Sequence, residues 1–235
     1  MGTVLRVDGL SYCYANGWKA IEGIDFSLEE GETVALLGAN GSGKTTFLLH
    51  LNGLLRGEGR IEVGGELLTG ESVGRIRELV GLIFQDSDDQ LFMPTVWEDV
   101  AFGLRQRGVG IPEARERAEG MLGRLGIGKL AERAPYQLSA GEKKRVAVAG
   151  VLILDPTILV LDEPTTFLDP PGQRELLELL QSLPQAKVVA THDMGFAEGI
   201  AERAVFFEGG RARDNGPIGE IVNRYRWRVV EKSKK

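Results

Sequence analysis

Short apolar runs alternating with longer amphipathic stretches dominate the pattern of this chain. The run at 33–37 (Thr-Val-Ala-Leu-Leu) has the length of a buried strand, and 46–55 carries helical spacing. Further strands are predicted at 4–7, 10–14, 60–63 and 79–84, with Gly9, Asn16-Gly17 and Gly64-Gly65 as turns. From about 95 to 153 the pattern is mostly helical, broken at 108–112, 126–128 and Pro135. Strand and helix then alternate again: apolar at 158–161, helical at 170–183, apolar at 187–190, and a helix from about Met194. Alternation of this kind predicts a mainly parallel sheet covered by helices, with a helical block inserted into an α/β frame.

Composition narrows the classes of function. A chain of 235 residues can bury a sizeable core. The net charge of -6 argues against a nucleic-acid partner. One cysteine, Cys13, allows no internal disulfide, and two histidines leave no Cys/His zinc cluster, which fits a reducing cytoplasm. The longest apolar stretch, 146–154, is well short of the ~20 residues that span a bilayer. With neither a signal-peptide pattern nor a myristoylation site at the N-terminus, membrane association is expected only through a partner. The basic end, 224–235, reads as a solvated, partly mobile tail rather than a membrane contact.

Chemistry enters at Gly38-Ala39-Asn40-Gly41-Ser42-Gly43-Lys44-Thr45, which matches G-x-x-x-x-G-K-[ST] between a strand and a helix. Glycines at 38, 41 and 43 let the backbone wrap an anion, with free N–H groups and the helix dipole aimed at phosphate. Lys44 would reach the terminal phosphates, and the Thr45 hydroxyl is a hard-oxygen ligand for Mg²⁺. The run Ile158-Leu159-Val160-Leu161-Asp162-Glu163 delivers two carboxylates to a strand's C-terminal end, the ligand-binding edge of such sheets. Asp162 can hold Mg²⁺ through its water shell, and Glu163 can act as general base toward a water. Gln85 and His192 follow strands 79–84 and 187–190, so both fall on the same edge, within reach of the γ-phosphate, the metal or the water. His192 alone reads equally well as a capping or core histidine. Ser139 and Glu142 are spaced as a capping box opening a helix, which accounts for local structure and also offers a second anion-binding helix end.

These residues, in this order, resemble the ATP-binding cassette (ABC) ATPases along essentially the whole chain. The match comprises Walker A at 38–45, a Q-loop glutamine at Gln85, a signature at 138–142, Walker B at 158–162, then Glu163, Asp169 and His192. The resemblance implies an α/β P-loop NTPase with a mainly parallel RecA-like core sheet, an N-terminal antiparallel β-subdomain and a helical signature subdomain at about 95–155. All of it would lie in one domain over 1–235. It also implies ATP and Mg²⁺, with Thr46 beside the phosphates. Such cassettes dimerise head to tail, so Ser139 and Gly141 would meet the ATP held by Lys44 of a second cassette, here an identical chain. Tyr14 matches the aromatic that stacks on adenine, although spacing does not separate it from Tyr12. Asp169 resembles the D-loop that couples the two sites. Ala140 for glycine, Glu142 for glutamine and a bulky Phe167 depart from the family pattern and bear on rate and coupling.

The stretch 84–92, Phe-Gln-Asp-Ser-Asp-Asp-Gln-Leu-Phe, with Pro94-Thr95-Val96 and 99–103, is similar to the energy-coupling-factor ATPases, with Ser87 where proline is usual. That likeness implies the motor of a cobalt or nickel importer. It would sit on the cytoplasmic face of the membrane, bound to an integral coupling subunit and a substrate-specific membrane subunit, without an extended C-terminal domain. A vitamin importer such as one for biotin is the alternative. A soluble ABC ATPase of DNA repair or translation is disfavoured, because neither a long coiled coil nor a second cassette with a basic linker is present.

Overall fold

A computed structural model describes residues 2–232, with side chains through Tyr225. β1 (Thr3–Cys13) pairs antiparallel with β2 (Lys19–Glu29), and β3 (Thr33–Leu37) leads into α1 (Lys44–Leu51). β4 (Glu58–Val63), the short β5 (Glu66–Leu67), α2 (Val73–Leu79) and β6 (Val80–Ile83) follow. Next come α3 (Val96–Gln106), α4 (Ile111–Arg124) and α5 (Ala140–Leu152). β7 (Ile158–Asp162), α6 (Pro170–Ser182), β8 (Ala186–Thr191), α7 (Met194–Ile200), β9 (Arg203–Glu208), β10 (Arg211–Pro217) and α8 (Ile218–Lys232) complete the described chain.

Two sheets form among the described residues. One is antiparallel, in the order β2-β1-β4-β5; the other runs β10-β9-β3-β8-β7-β6 and is parallel from β9 to β6. Every residue of β3, β7 and β8 is buried, because helices or the second sheet cover both faces. Here the expected α/β frame, parallel core and antiparallel N-terminal sheet are all present.

α1 joins the sheets. Its Phe47 is fully buried, with its ring centroid 5.4 Å from Phe26 on β2 and 5.5 Å from Phe207 on β9. Around it one apolar cluster runs from Leu5 and Ile24 to Val34, Leu36 and Val188. A second cluster, built from Val100, Leu104, Ala118, Leu122 and Val146, holds α3, α4 and α5 together. Thr95 and Glu98 cap α3 in a reciprocal box. The opposite face of the parallel sheet carries α6 and α7 over Leu161, Leu176 and Phe196.

Four departures from the sequence reading have local causes. Gly9, at φ 60°, permits a register shift between Val7 and Leu10, so 4–7 and 10–14 are one bulged strand rather than two. β2 went unread because Gly23 interrupts its alternation, although Ile21, Ile24, Phe26 and Leu28 are buried. β10, Arg-Ala-Arg-Asp-Asn-Gly-Pro, carries almost no apolar signal and exists as the antiparallel edge of β9. The segment read as a tail from 224 lies largely in α8, whose first turns bury Ile221 and Val222 and stack Tyr225 on Phe206 at 3.8 Å. Residues 233–235, the end of that expected tail, lie outside the described residues.

Phe47→Ala is expected to cost about 3–5 kcal/mol, the range for deleting a buried aromatic ring. Urea denaturation of the purified chain measures it, and a loss below about 1 kcal/mol would contradict the role of this ring in joining the sheets.

Candidate functional site

The loop 38–45 turns sharply between β3 and α1, and its glycines are sterically required. A Cβ on Gly38 would fall 2.3 Å from the Phe207 carbonyl oxygen, and one on Gly43, at φ 106°, 2.8 Å from that of Ala20. Lys44 is 5% exposed and donates through Nζ to the Gly38 carbonyl at 2.8 Å and the Ala39 carbonyl at 3.3 Å. The buried Ser42 hydroxyl has no partner.

β7 delivers the carboxylates. In an extended strand Asp162 and Glu163 would point to opposite faces. Glu163 instead adopts a left-handed backbone, φ 41°, while its N–H stays bonded to the Ala190 carbonyl on β8. This turn brings Glu163 Oε1 to 3.6 Å from Lys44 Nζ, with both side chains almost wholly buried. Its Oε2 accepts from the His192 backbone N–H at 3.2 Å and lies 2.8 Å from His192 Nδ1. Asp162 is 6% exposed and accepts a hydrogen bond from Thr45, but among the described residues its Oδ1 has no hydrogen-bond partner, and neither has Glu163 Oε1 beyond its ion pair with Lys44.

A cavity of about 320 Å³ opens along this edge. Asn40, Gly41, Gly43, Lys44, Thr45 and Thr46 form its floor, and Gln85, Glu163 and His192 its wall. Tyr14 closes one end, its hydroxyl 3.1 Å from that of Thr46. Tyr12 packs edge-on against Tyr14 and His50 and does not line the cavity, which decides between the two tyrosines as far as position goes. Trp18, which the sequence reading did not single out, also lines the cavity, half exposed and stacked parallel to Tyr14 at 5.6 Å. Its signal was an aromatic in a turn close to Tyr14.

Ser139 and Gly141 are not brought into this cavity. They lie at the N-terminus of α5, where Ser139 and Glu142 satisfy each other as a capping box. Space beside Gly141 is open. Phe167, between β7 and α6, is left-handed at φ 68° and 71% exposed. Asp169 is the N-cap of α6, accepting from the Gly172 N–H at 3.0 Å.

Two further charged residues are buried: Lys144, which the sequence reading did not single out, and Asp99, which it gave only as part of the 99–103 likeness. Lys144, on α5, is 2% exposed and donates to the carbonyls of Phe84 at 3.0 Å and Gln85 at 2.8 Å. Burial lowers its pKa to about 8, against the opposing charges of Asp86 and Asp162. Asp99, on α3, holds the Phe92 and Met93 N–H groups at 3.0 Å, while its Oδ2 has no partner and burial raises its pKa. It lines a groove of about 410 Å³ between β6, α3 and α5, beside the exposed Phe92. Periodicity alone cannot reveal either residue, because each is a polar group in a helix whose partners are backbone atoms outside that helix, far along the chain for Lys144 and just before α3 for Asp99.

The donor set fits a hard cation held together with an anionic ligand. Asp162, beside the Thr45 hydroxyl, offers an unpartnered buried oxygen. Among the described residues no group of three His, Cys, Asp or Glu could hold a metal ion by itself. Mg²⁺, which keeps waters and takes phosphate oxygens, suits such a sparse site. Burial lowers the Lys44 pKa, against the charges of Glu163 and Asp162. It raises that of Asp162, with Thr45 opposing and Glu163 adding to the rise.

Comparison with known proteins agrees with this geometry. The family model described as ABC transporter matches residues 21–166. The cobalt import ATP-binding protein CbiO of Rhodobacter capsulatus is 42% identical over 230 residues, 95% of this chain and 82% of that one. CbiO1 of Clostridium perfringens, described as part of the ABC transporter complex cbiONQ, superposes with a TM-score of 0.82 at 34% identity, over 98% of this chain and 97% of that one. The cassette MJ0796, solved as a post-hydrolysis dimer bound to ADP and Pi, gives 0.82 at 27% identity, over 91% and 98%.

A raised pKa means that folding favours protonated Asp162. Its contribution to stability is present below the unfolded value and lost as pH rises through the folded one, so at neutral pH the charge costs stability. Asp162→Asn is therefore expected to raise the Tm of the nucleotide-free chain at pH 7. The gain should vanish as pH falls through the carboxylate range. A variant less stable than wild type at pH 7 by calorimetry would contradict the cost assigned to this buried charge.

Proposed function

This chain belongs to the ABC transporter family as an ATP-hydrolysing subunit similar to the energy-coupling-factor ATPases, and from that premise we propose the roles of its residues and its place in an importer. One observation carries the hydrolytic reading: Glu163 Oε1, buried and without a hydrogen-bond partner among the described residues, is ion-paired with the phosphate-loop lysine at 3.6 Å while Oε2 is held by His192. A carboxylate fixed through one oxygen presents the other to water in a single orientation, as a general base requires. Lys44, with the 38–45 N–H groups and the α1 dipole, takes the β- and γ-phosphates and offsets charge that develops on them. Tyr14 stacks on the adenine.

Thr45, Asp162 and Gln85 would hold Mg²⁺, which supplies charge neutralisation on the phosphate oxygens when bound. Gln85 and His192 also orient the water and the γ-phosphate from the cavity wall. His192 Nδ1 lies 2.8 Å from Glu163, so it keeps the base in position and can stabilise the carboxyl once that takes a proton.

Ser139 and Gly141 act on the ATP of a second copy in a head-to-tail dimer. Supporting this, they lie outside the cavity of their own chain, and the similar cassette MJ0796 was solved as a dimer. The membrane partner is a polytopic coupling subunit that receives the β6–α3–α5 groove, where Phe92 is 63% exposed beside the unpartnered Asp99 oxygen. No helix among the described residues is long and apolar enough to cross a membrane, so we infer attachment to the cytoplasmic face through that subunit and a substrate-specific one. The cargo we propose is cobalt or nickel, with the likeness to a cobalt import protein supporting the first; a vitamin importer of the same type is the second reading.

Glu163→Gln is expected to bind ATP and dimerise while hydrolysing about 10²–10⁴-fold more slowly, the range for a lost general base. Near-normal turnover in a phosphate-release assay would sink the mechanism. Recovery of the tagged chain from solubilised membranes with a polytopic partner is expected, and recovery solely with ribosomes or DNA would reject the transport role.

A further inference from the structure

Segment 84–90 leaves the end of β6, yet it is fastened to α5. Lys144 Nζ donates to the carbonyls of Phe84 and Gln85 at 3.0 and 2.8 Å. One residue earlier, Lys143 Nζ pairs with Asp88 at 2.6 Å, and one turn later the Ala147 carbonyl accepts from Gln90 Nε2 at 3.5 Å. Gln90 closes the set by accepting from the Phe84 N–H at 3.4 Å. These contacts differ in weight. The Lys143 pair has its carboxylate 62% exposed, and an exposed ion pair holds weakly. The two bonds to Gln90 are long. Lys144 is 2% exposed, and among the described residues no carboxylate touches its ammonium within hydrogen-bond distance; its partners are two main-chain oxygens. An apolar residue would fill the same volume without the desolvation of a charge, so what the lysine adds is the fixing of those carbonyls.

The carbonyls belong to the residues that end the β6 edge, and one of them is the carbonyl of Gln85, which lines the nucleotide cavity. Lys144 in turn lies less than one turn along α5 from Gly141 and little more than one from Ser139. We propose that Lys144 is a positioning residue that locks the backbone of Gln85 to helix α5, so that the glutamine enters the cavity of its own chain only in register with the 139–141 turn. The inference rests on the reading of that cavity as the ATP site. Motion of α5, whether driven by a partner in the neighbouring groove or by a second copy at Ser139, is then transmitted to Gln85 through one buried cation.

The test is a double-mutant cycle on the full chain. Steady-state kcat and KM for ATP are measured for wild type, Lys144→Met, Gln85→Ala and the double variant, with thermal melts and equilibrium ATP binding to establish that each is folded. Misplacing a catalytic group by about 1 Å can cost roughly a hundredfold, so Lys144→Met is expected to lower kcat by about tenfold or more with KM within about twofold. Lys144→Arg, which keeps the charge and donors, should recover most of the loss. The double variant should be no slower than Gln85→Ala alone, because a residue acting through Gln85 has nothing left to position. Losses that multiply, or wild-type kcat in Lys144→Met, would overturn the assignment. If Lys144→Met does not fold, Lys144→Gln replaces it in the cycle and is judged by the same outcomes. A wild-type chain that binds but does not hydrolyse ATP overturns the hydrolase reading beneath the proposal; a hydrolysing wild type with multiplied losses overturns the role of Lys144 alone.

Discussion

One cation and two carboxylates are buried side by side at the C-terminal edge of a parallel sheet, and the remainder of the fold is arranged around holding them there. Lys44, Asp162 and Glu163 are each about nineteen-twentieths removed from solvent, and the formal charge left over is negative. Such a group is tolerated only if its geometry is imposed from outside. The phosphate loop imposes it on Lys44 by offering its own carbonyls, and β8 imposes it on Glu163 through the Ala190 and His192 backbone. The left-handed turn at Glu163 is part of the same imposition, since a non-glycine residue stays in that conformation only when its neighbours over-determine it.

Rigidity behind the edge comes from strands with no solvent face. β3, β7 and β8 are buried throughout, and α1 seals the two sheets with an aromatic ring on either side of Phe47. The α3–α5 unit has its own apolar cluster and meets the sheet mainly through α5 and segment 84–90. The chain therefore has a buried-strand frame that holds the phosphate loop and a smaller helical unit joined to it through α5, by apolar contacts of Val148, Val151 and Leu152 and by polar fastenings to segment 84–90. Lys144 is the most buried polar fastening among them.

The sequence was most legible where chemistry and geometry coincide. Gly38 and Gly43 sit in backbone positions that exclude a side chain, and the all-apolar 158–161 run has both faces covered. Gln85 and His192 could be assigned to one edge because parallel strands end together, whereas Tyr14, which follows the antiparallel β1, was implied by the family resemblance alone. Legibility failed for edges and for polar groups bonded to backbone. β10 pairs through main-chain atoms and needs no apolar side chains, so nothing in Arg211–Pro217 announces it. Lys144 and Asp99 look like ordinary helix-surface charges until the fold covers them, since the carbonyls and N–H groups that receive them come from segments far along the chain or across a turn. Ser139 remains double-valued: its capping box is complete within one chain, and any contact with a second copy must be added to that role.

Trp18 gives the cavity a property of a different kind. Its indole lies on the cavity wall, half exposed to water and parallel to Tyr14 at 5.6 Å. Indole emission depends on the polarity and mobility of the surrounding solvent, so a molecule entering this cavity alters the environment of a native fluorophore before any bond is made or broken. Occupancy of the site is thereby written into the optical spectrum of the unlabelled protein, separately from turnover.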